Sequence, residues 1–137
     1  ARGPEVFDLL NALNTGHKNG LTSLHAYGAD ELFSRMYMML AQSERGRHLD
    51  PYRAANLVAS TLHIVVSIEM AGKKRFVKTI AELTGNVVQR GTAYEPEMKA
   101  LFQRESTRTR LDGPLYPSVH ANMLKQAGTR SDVFTPA

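Results

Sequence analysis

Arg2-Gly3-Pro4-Glu5, Asn14-Thr15-Gly16-His17 and Leu21-Thr22-Ser23-Leu24-His25-Ala26 are the runs on which the reading of this chain turns. Between the first two, Val6, Phe7, Leu10 and Leu13 recur at helical spacing. Pro4 suits a first helical position, where a missing N–H costs nothing, and Glu5 places negative charge at the positive end of the helix dipole. The periodicity predicts a helix over 4–13, stopped at Asn14-Thr15-Gly16, where glycine can take positive φ. Residues 17–20 read as a polar turn. Leu21 to His25, flanked by Gly20 and Gly28 and alternating, reads as a buried strand.

Outward from this stretch, residues 29–41 predict a second helix, with Leu32, Phe33, Met36, Met39 and Leu40 on one side. Residues 43–49 form a polar loop. Asp50 then caps, and Pro51 opens, a third helix to about Thr61. The period next changes to two. Ile64, Val66, Ile68 and Met70 alternate with His63, Val65, Ser67 and Glu69; 71–74 reads as a turn, and 75–83 alternates again. Thr84-Gly85-Asn86 predicts a second turn, leading to a third strand near 87–89. The order is helix, strand, helix, helix, then a meander, which is an α/β chain. Past Phe102 the texture becomes polar, basic and broken by prolines, so 104–137 is expected to be a loosely ordered tail or to lie on another surface. Ser118-Val119-His120-Ala121 echoes Ser23-Leu24-His25-Ala26, too short to mark a repeat.

Composition narrows the function classes. The 137 residues are 42% hydrophobic and 22% charged, which suits one globular domain and excludes wholesale disorder. Seventeen Lys and Arg against 13 acids give a net charge of +4, which permits an anionic partner without choosing one. Cysteine is absent, so thiolate nucleophiles, disulfides and Cys-ligated zinc are excluded, and no other ligand set for a metal is visible. The most apolar stretch, 57–68, is interrupted by Ser60, Thr61, His63 and Ser67, well short of the roughly 20 residues of a membrane span. The N-terminal residues do not read as a signal peptide. The chain opens on Ala1 without Met and is expected to be a piece of something longer.

The three opening runs together resemble the secretion ATPase superfamily, the hexameric motors of type II secretion, type IV secretion, conjugation and tight-adherence (Flp) pili. There a strand ends in Gly-Glu-x-Arg and is followed by a helix, by Thr-Gly-His, and by a strand carrying Thr-x-His-Ala. The form seen here is most similar to the tight-adherence and type IV branch, with Tyr27 standing where that branch usually has Asn. The match is specific over 2–26 and weaker to about residue 85, where Arg75, Val77, Ile80, Glu82 and Gly85 look like the family's closing strands. The resemblance implies that 1–103 is the C-terminal half of a RecA-like P-loop ATPase domain with a closing antiparallel β-meander.

The same resemblance implies roles. Ala1-Arg2 would end Gly-Glu-x-Arg, with the catalytic Glu just upstream, and Arg2 would hold that Glu or the metal's surroundings. His25 would sense the γ-phosphate at the end of its strand, beside Thr22, with Thr15, Gly16 and His17 at the same sheet edge and Glu5 bracing the region. ATP and Mg²⁺ would lie between this segment and a missing N-terminal half. The partners implied are further copies in a hexamer and an inner-membrane platform protein, at the cytoplasmic face of the membrane. The phosphate cradle Gly-x-x-x-x-Gly-Lys-Ser/Thr occurs nowhere in the 137 residues, so the chain alone is expected to be inactive.

Plainer readings stand beside these. Taken alone, His25 is a hydrogen-bonded core histidine, and His17 a solvated turn residue. The 36–39 run, Met-Tyr-Met-Met, reads as core packing before a binding groove. Lys73, Lys74 and Arg75 are a solvated hairpin tip. Arg104, Arg108 and Arg110 lack interleaved aromatics, which disfavours nucleic acid. The rival to the motor reading is a non-catalytic assembly module that binds intact ATPase subunits through an open sheet edge.

Overall fold

A computed structural model describes residues 1–16, 20–106, 110–128 and 130. His17 and Arg108 lie outside the described residues. The described chain divides into two compact units, Ala1–Leu62 with Gly85–Glu97, and His63–Thr84 with Met98 onward.

The first unit is built on three helices: α1 (Val6–Asn14), α2 (Leu32–Gln42) and α3 (Pro51–Thr61). Their apolar faces supply the core, with Val6, Leu10, Met36, Met39, Leu40, Ala54, Ala55, Val58 and Ala59 buried. α1 starts two residues later than Pro4 predicts. Glu5 adopts the cap position, and its Oε1 instead accepts the backbone N–H groups of Arg2 (2.7 Å) and Gly3 (3.1 Å). Gly16 takes φ +140° just past the helix end, as the stop signal requires. A single 3₁₀ turn, Ala29–Glu31, leads into α2.

The link from α2 to α3 is tighter than a polar loop. Ser43 Oγ donates to the Leu40 carbonyl (2.9 Å) and accepts from Gly46 N–H (2.7 Å), all buried. A Cβ on Gly46 would come within 2.6 Å of that carbonyl oxygen, so the close backbone approach needs glycine. α3 is capped as predicted, with the Asp50 carboxylate accepting from Arg53 N–H at 2.9 Å. Tyr52 on α3 meets Tyr94 edge-on, ring centroids 5.6 Å apart.

Residues 21–25 do not form the predicted strand. They carry no ladder, Leu21 and His25 are exposed, and Thr22 and Leu24 are the half-buried pair. A strand needs a ladder to satisfy its backbone, and among the described residues only single contacts, from the Ala1 nitrogen to Ser23 and from Arg35 to His25, reach the carbonyls of this segment.

The sheet has order β1-β2-β3, with β1 (Ile64–Ala71), β2 (Lys74–Arg90) and β3 (Ala93–Gln103). β1 and β2 form the predicted hairpin, turning at Gly72 (φ +60°). Ser67 pairs with Thr79 and Ile68 with Val77, so Lys78 is an extra residue on β2. The second predicted turn is not there. Gly85 takes φ +89° but the strand continues through it, and the chain reverses at Gly91 (φ +61°). The strand predicted at 87–89 is the far half of β2, and the third strand is 93–103.

In the second unit Ala81, Leu83 and Leu101 are buried. The apolar residues of edge strand β1, Ile64, Val66, Ile68 and Met70, stand on an open face, with Ile68 61% exposed. Part of the tail expected to be loose is tied down. Gln103 bridges Asp112, Leu115 N–H donates to the Leu101 carbonyl (2.8 Å), and α4 (Ala121–Gln126) follows. The buried carboxylate of Glu82 accounts for much of this order. Fully buried, it accepts from Ser118 Oγ (2.5 Å) and Val119 N–H (3.2 Å). Two charge-assisted bonds offset a desolvation that would otherwise be prohibitive.

Candidate functional site

The first unit holds a cleft of about 160 Å³ where the N-terminal residues meet the 21–25 segment and α2. Arg2 and His25 both line it. They are brought together by backbone contacts. The Ala1 nitrogen donates to Thr22 Oγ1 (3.3 Å) and to the Ser23 carbonyl, so 1–2 run alongside 22–25. Glu5 restrains Arg2 from the other side through the two backbone bonds described above. Those donors, the Arg2 N–H first, hold the Glu5 carboxyl below its ordinary range and keep it ionised.

α2 closes the cleft with one face. Arg35, Met38, Met39 and Gln42 follow i, i+3, i+4, i+7 and all line it. Arg35 Nε donates to the His25 carbonyl at 3.2 Å. The methionine run therefore divides: Met36 and Met39 are core, while Met38 is half exposed at the cleft. The lining residues include three cationic or ionisable nitrogen side chains and no carboxylate. Among the described residues neither Arg2 nor Arg35 forms an ion pair. The cleft is thus arranged to attract an anion.

Other residues implicated by the sequence lie elsewhere. Thr15 sits past the end of α1, its Oγ1 donating back to the Asn11 carbonyl (2.8 Å), and neither it nor Gly16 lines the cleft. Thr22 is behind the cleft, on Ala1, and Glu5 braces it from outside. His17 lies outside the described residues. Arg35 was missed by motif reading. Its signal was present as the shared helical spacing with Met38, Met39 and Gln42, but that face gains meaning only once His25 is seen beside it.

The second unit gathers a different set. His120 Nε2 lies 2.8 Å from the Leu83 carbonyl, and the rings of His120 and His63 meet edge-on at 5.1 Å. Burial, and secondarily the charge of His120, push His63 below its ordinary value. The His120 backbone N–H donates to Ser118 Oγ (3.1 Å), which in turn donates to Glu82.

No helix among the described residues is long and apolar enough to cross a membrane, and no three of their His, Asp and Glu side chains cluster as they would to hold a metal ion. No family model matches the chain. The chain is similar to proteins of type IV secretion and conjugal transfer. It is 34% identical over 67 residues to the type IV secretion system protein VirB11 of Brucella suis, a match covering 49% of this chain and 18% of that protein. It is 37% identical over 68 residues to PtlH, a type IV secretion system protein of Bordetella pertussis, covering 50% and 20%. The conjugal transfer protein TrbB of Rhizobium radiobacter is 28% identical over 105 residues, covering 77% and 30%. The chain thus spans under a third of the length of the curated relatives it matches. A match of 105 residues extends well past the N-terminal motifs.

Proposed function

Because this chain is a homologue of type IV secretion and conjugal-transfer proteins, within the secretion ATPase superfamily, we propose that it supplies the phosphate-facing C-terminal part of a RecA-like motor that hydrolyses ATP to drive secretion or conjugation. The observation that carries the reading is the meeting of Arg2 and His25 in one cleft free of carboxylates. Attack of water on a terminal phosphoryl group spreads negative charge over its oxygens, and catalysis consists largely of placing donors around them. Arg2 and His25 would donate there, with Glu5 fixing the Arg2 backbone.

The phosphate cradle and the carboxylate that orients water would come from residues outside this chain, as would the contacts to Mg²⁺. Two guanidinium groups, an imidazole and one amide offer Mg²⁺ no carboxylate and a single side-chain oxygen, which does not fit it, so the cleft residues have no step through it. In this reading the motor is a hexamer acting on an inner-membrane platform at the cytoplasmic face. The test is an ATPase assay on a protein joining this chain to its phosphate loop. Turnover by that protein, and none by the 137 residues alone, is expected; absence of turnover in both contradicts the reading.

One observation favours a second reading. The open apolar stripe of Ile64, Val66, Ile68 and Met70 on an edge strand suits a non-catalytic module that pairs with intact ATPase subunits. Such a module would alter the turnover of intact subunits when mixed with them, and would do so less after Ile68→Lys.

A further inference from the structure

The α2 face adds a charge to the cleft that motif reading does not include. Arg35 reaches it from ten residues beyond His25 and engages the His25 carbonyl through Nε alone. That leaves the two Nη groups as donors, and among the described residues no carboxylate pairs with them. A guanidinium anchored at Nε loses less freedom when it forks onto an anion than a free lysine does. Arg2 stands in the same cleft, itself without an ion-pair partner among the described residues, and the rest of the lining is Ala1, Leu24, His25, Met38, Met39 and Gln42. Two unneutralised guanidinium groups around an imidazole, on a partly apolar floor, match a compact dianion better than the spread single charges of a phosphodiester chain.

We propose that Arg35 is a phosphate-binding residue, which forks onto the terminal phosphoryl group of a phosphoanhydride while holding the His25 backbone in place. It rests on the nucleotide reading above and names a further residue for it. Arg35 has two duties, and substitutions separate them. Arg35→Gln keeps a donor for the carbonyl but removes the charge. Arg35→Lys keeps the charge but loses the fork.

The experiment titrates pyrophosphate into the 137-residue chain and follows the His25 imidazole signals by NMR. The wild-type chain is expected to show saturable shifts. Arg35→Gln should weaken binding roughly ten- to hundredfold with the rest of the spectrum unchanged, the loss of one charge-assisted contact. Arg35→Lys should fall between the two, and Arg75→Gln, in the other unit, should bind as wild type. Wild-type affinity in Arg35→Gln overturns the proposal. So does failure of pyrophosphate to move His25 in the wild-type chain, or binding of a single-stranded oligonucleotide in preference to pyrophosphate. Should Arg35→Gln disturb the whole spectrum, Arg35→Lys decides: wild-type affinity there would make the residue a bare charge and reject the fork. Failure of the motor reading is recognised separately, as absence of ATP turnover in the longer protein while pyrophosphate still binds.

Discussion

The two units place charge in opposite ways. In the helical unit Arg2, His25 and Arg35 line an open cleft without a carboxylate among them. In the sheet unit Glu82 is fully buried, and Ser118, Val119 and the turn into α4 close over it. The first arrangement leaves favourable interactions unmade until an anion arrives. The second makes them all within the chain. Charge that waits for a ligand contributes little to stability, whereas charge that is already satisfied is part of the fold. The comparison therefore separates residues whose loss should affect binding from residues whose loss should affect folding.

Ser118→Ala breaks the comparison most strongly if it is wrong. It removes the 2.5 Å bond to a fully buried carboxylate. Stability measured by urea unfolding is expected to fall by about 1.5–3 kcal/mol. A loss within about 0.5 kcal/mol would mean that Glu82 is not held by the tail. Asp50→Ala, in the helical unit, tests an exposed capping carboxylate of the ordinary kind. It should cost about 1 kcal/mol by the same measurement.

Acid sharpens the comparison at smaller amplitude. His63 holds its proton less tightly folded than unfolded, because of burial and then the neighbouring charge of His120, with buried Glu82 paired across from Ile64. The unfolded chain thus binds more protons as pH falls. The His63 contribution is present above its ordinary value of about 6.5 and is lost as pH drops below it. Urea midpoints at about pH 7.5 and about pH 5.5 should differ less in His63→Gln than in the wild-type chain. An equal difference would assign the acid sensitivity elsewhere.

Much of this was legible from residue order. Helical spacing located α1, α2 and α3, Asp50-Pro51 fixed the start of α3, and the change to period two found the first hairpin. The misreadings share one cause, that local signals do not report pairing. Gly85 looked like a turn, but positive φ inside a strand bends it without ending it. β3 was not legible although Tyr94, Pro96, Met98 and Ala100 alternate with Glu95, Glu97 and Lys99, because Pro96 reads as a breaker and Glu and Lys disfavour strands. Residues 21–25 alternate as a strand should, yet a ladder depends on a neighbour that no local pattern supplies. In the site, the motif identified Arg2 and His25, which share the cleft, together with Thr15 and Gly16, which do not line it. Arg35 could be found only from the helix face that meets them.

The central claim is that His25 serves a phosphate and not the fold. His25→Ala, placed in a protein that joins this chain to a phosphate loop, tests it most directly through ATP turnover and urea unfolding measured together. The account predicts turnover lower by on the order of a hundredfold, with stability unchanged to within about 0.5 kcal/mol. Unchanged turnover, or a loss of activity matched by a loss of folded protein, would contradict it.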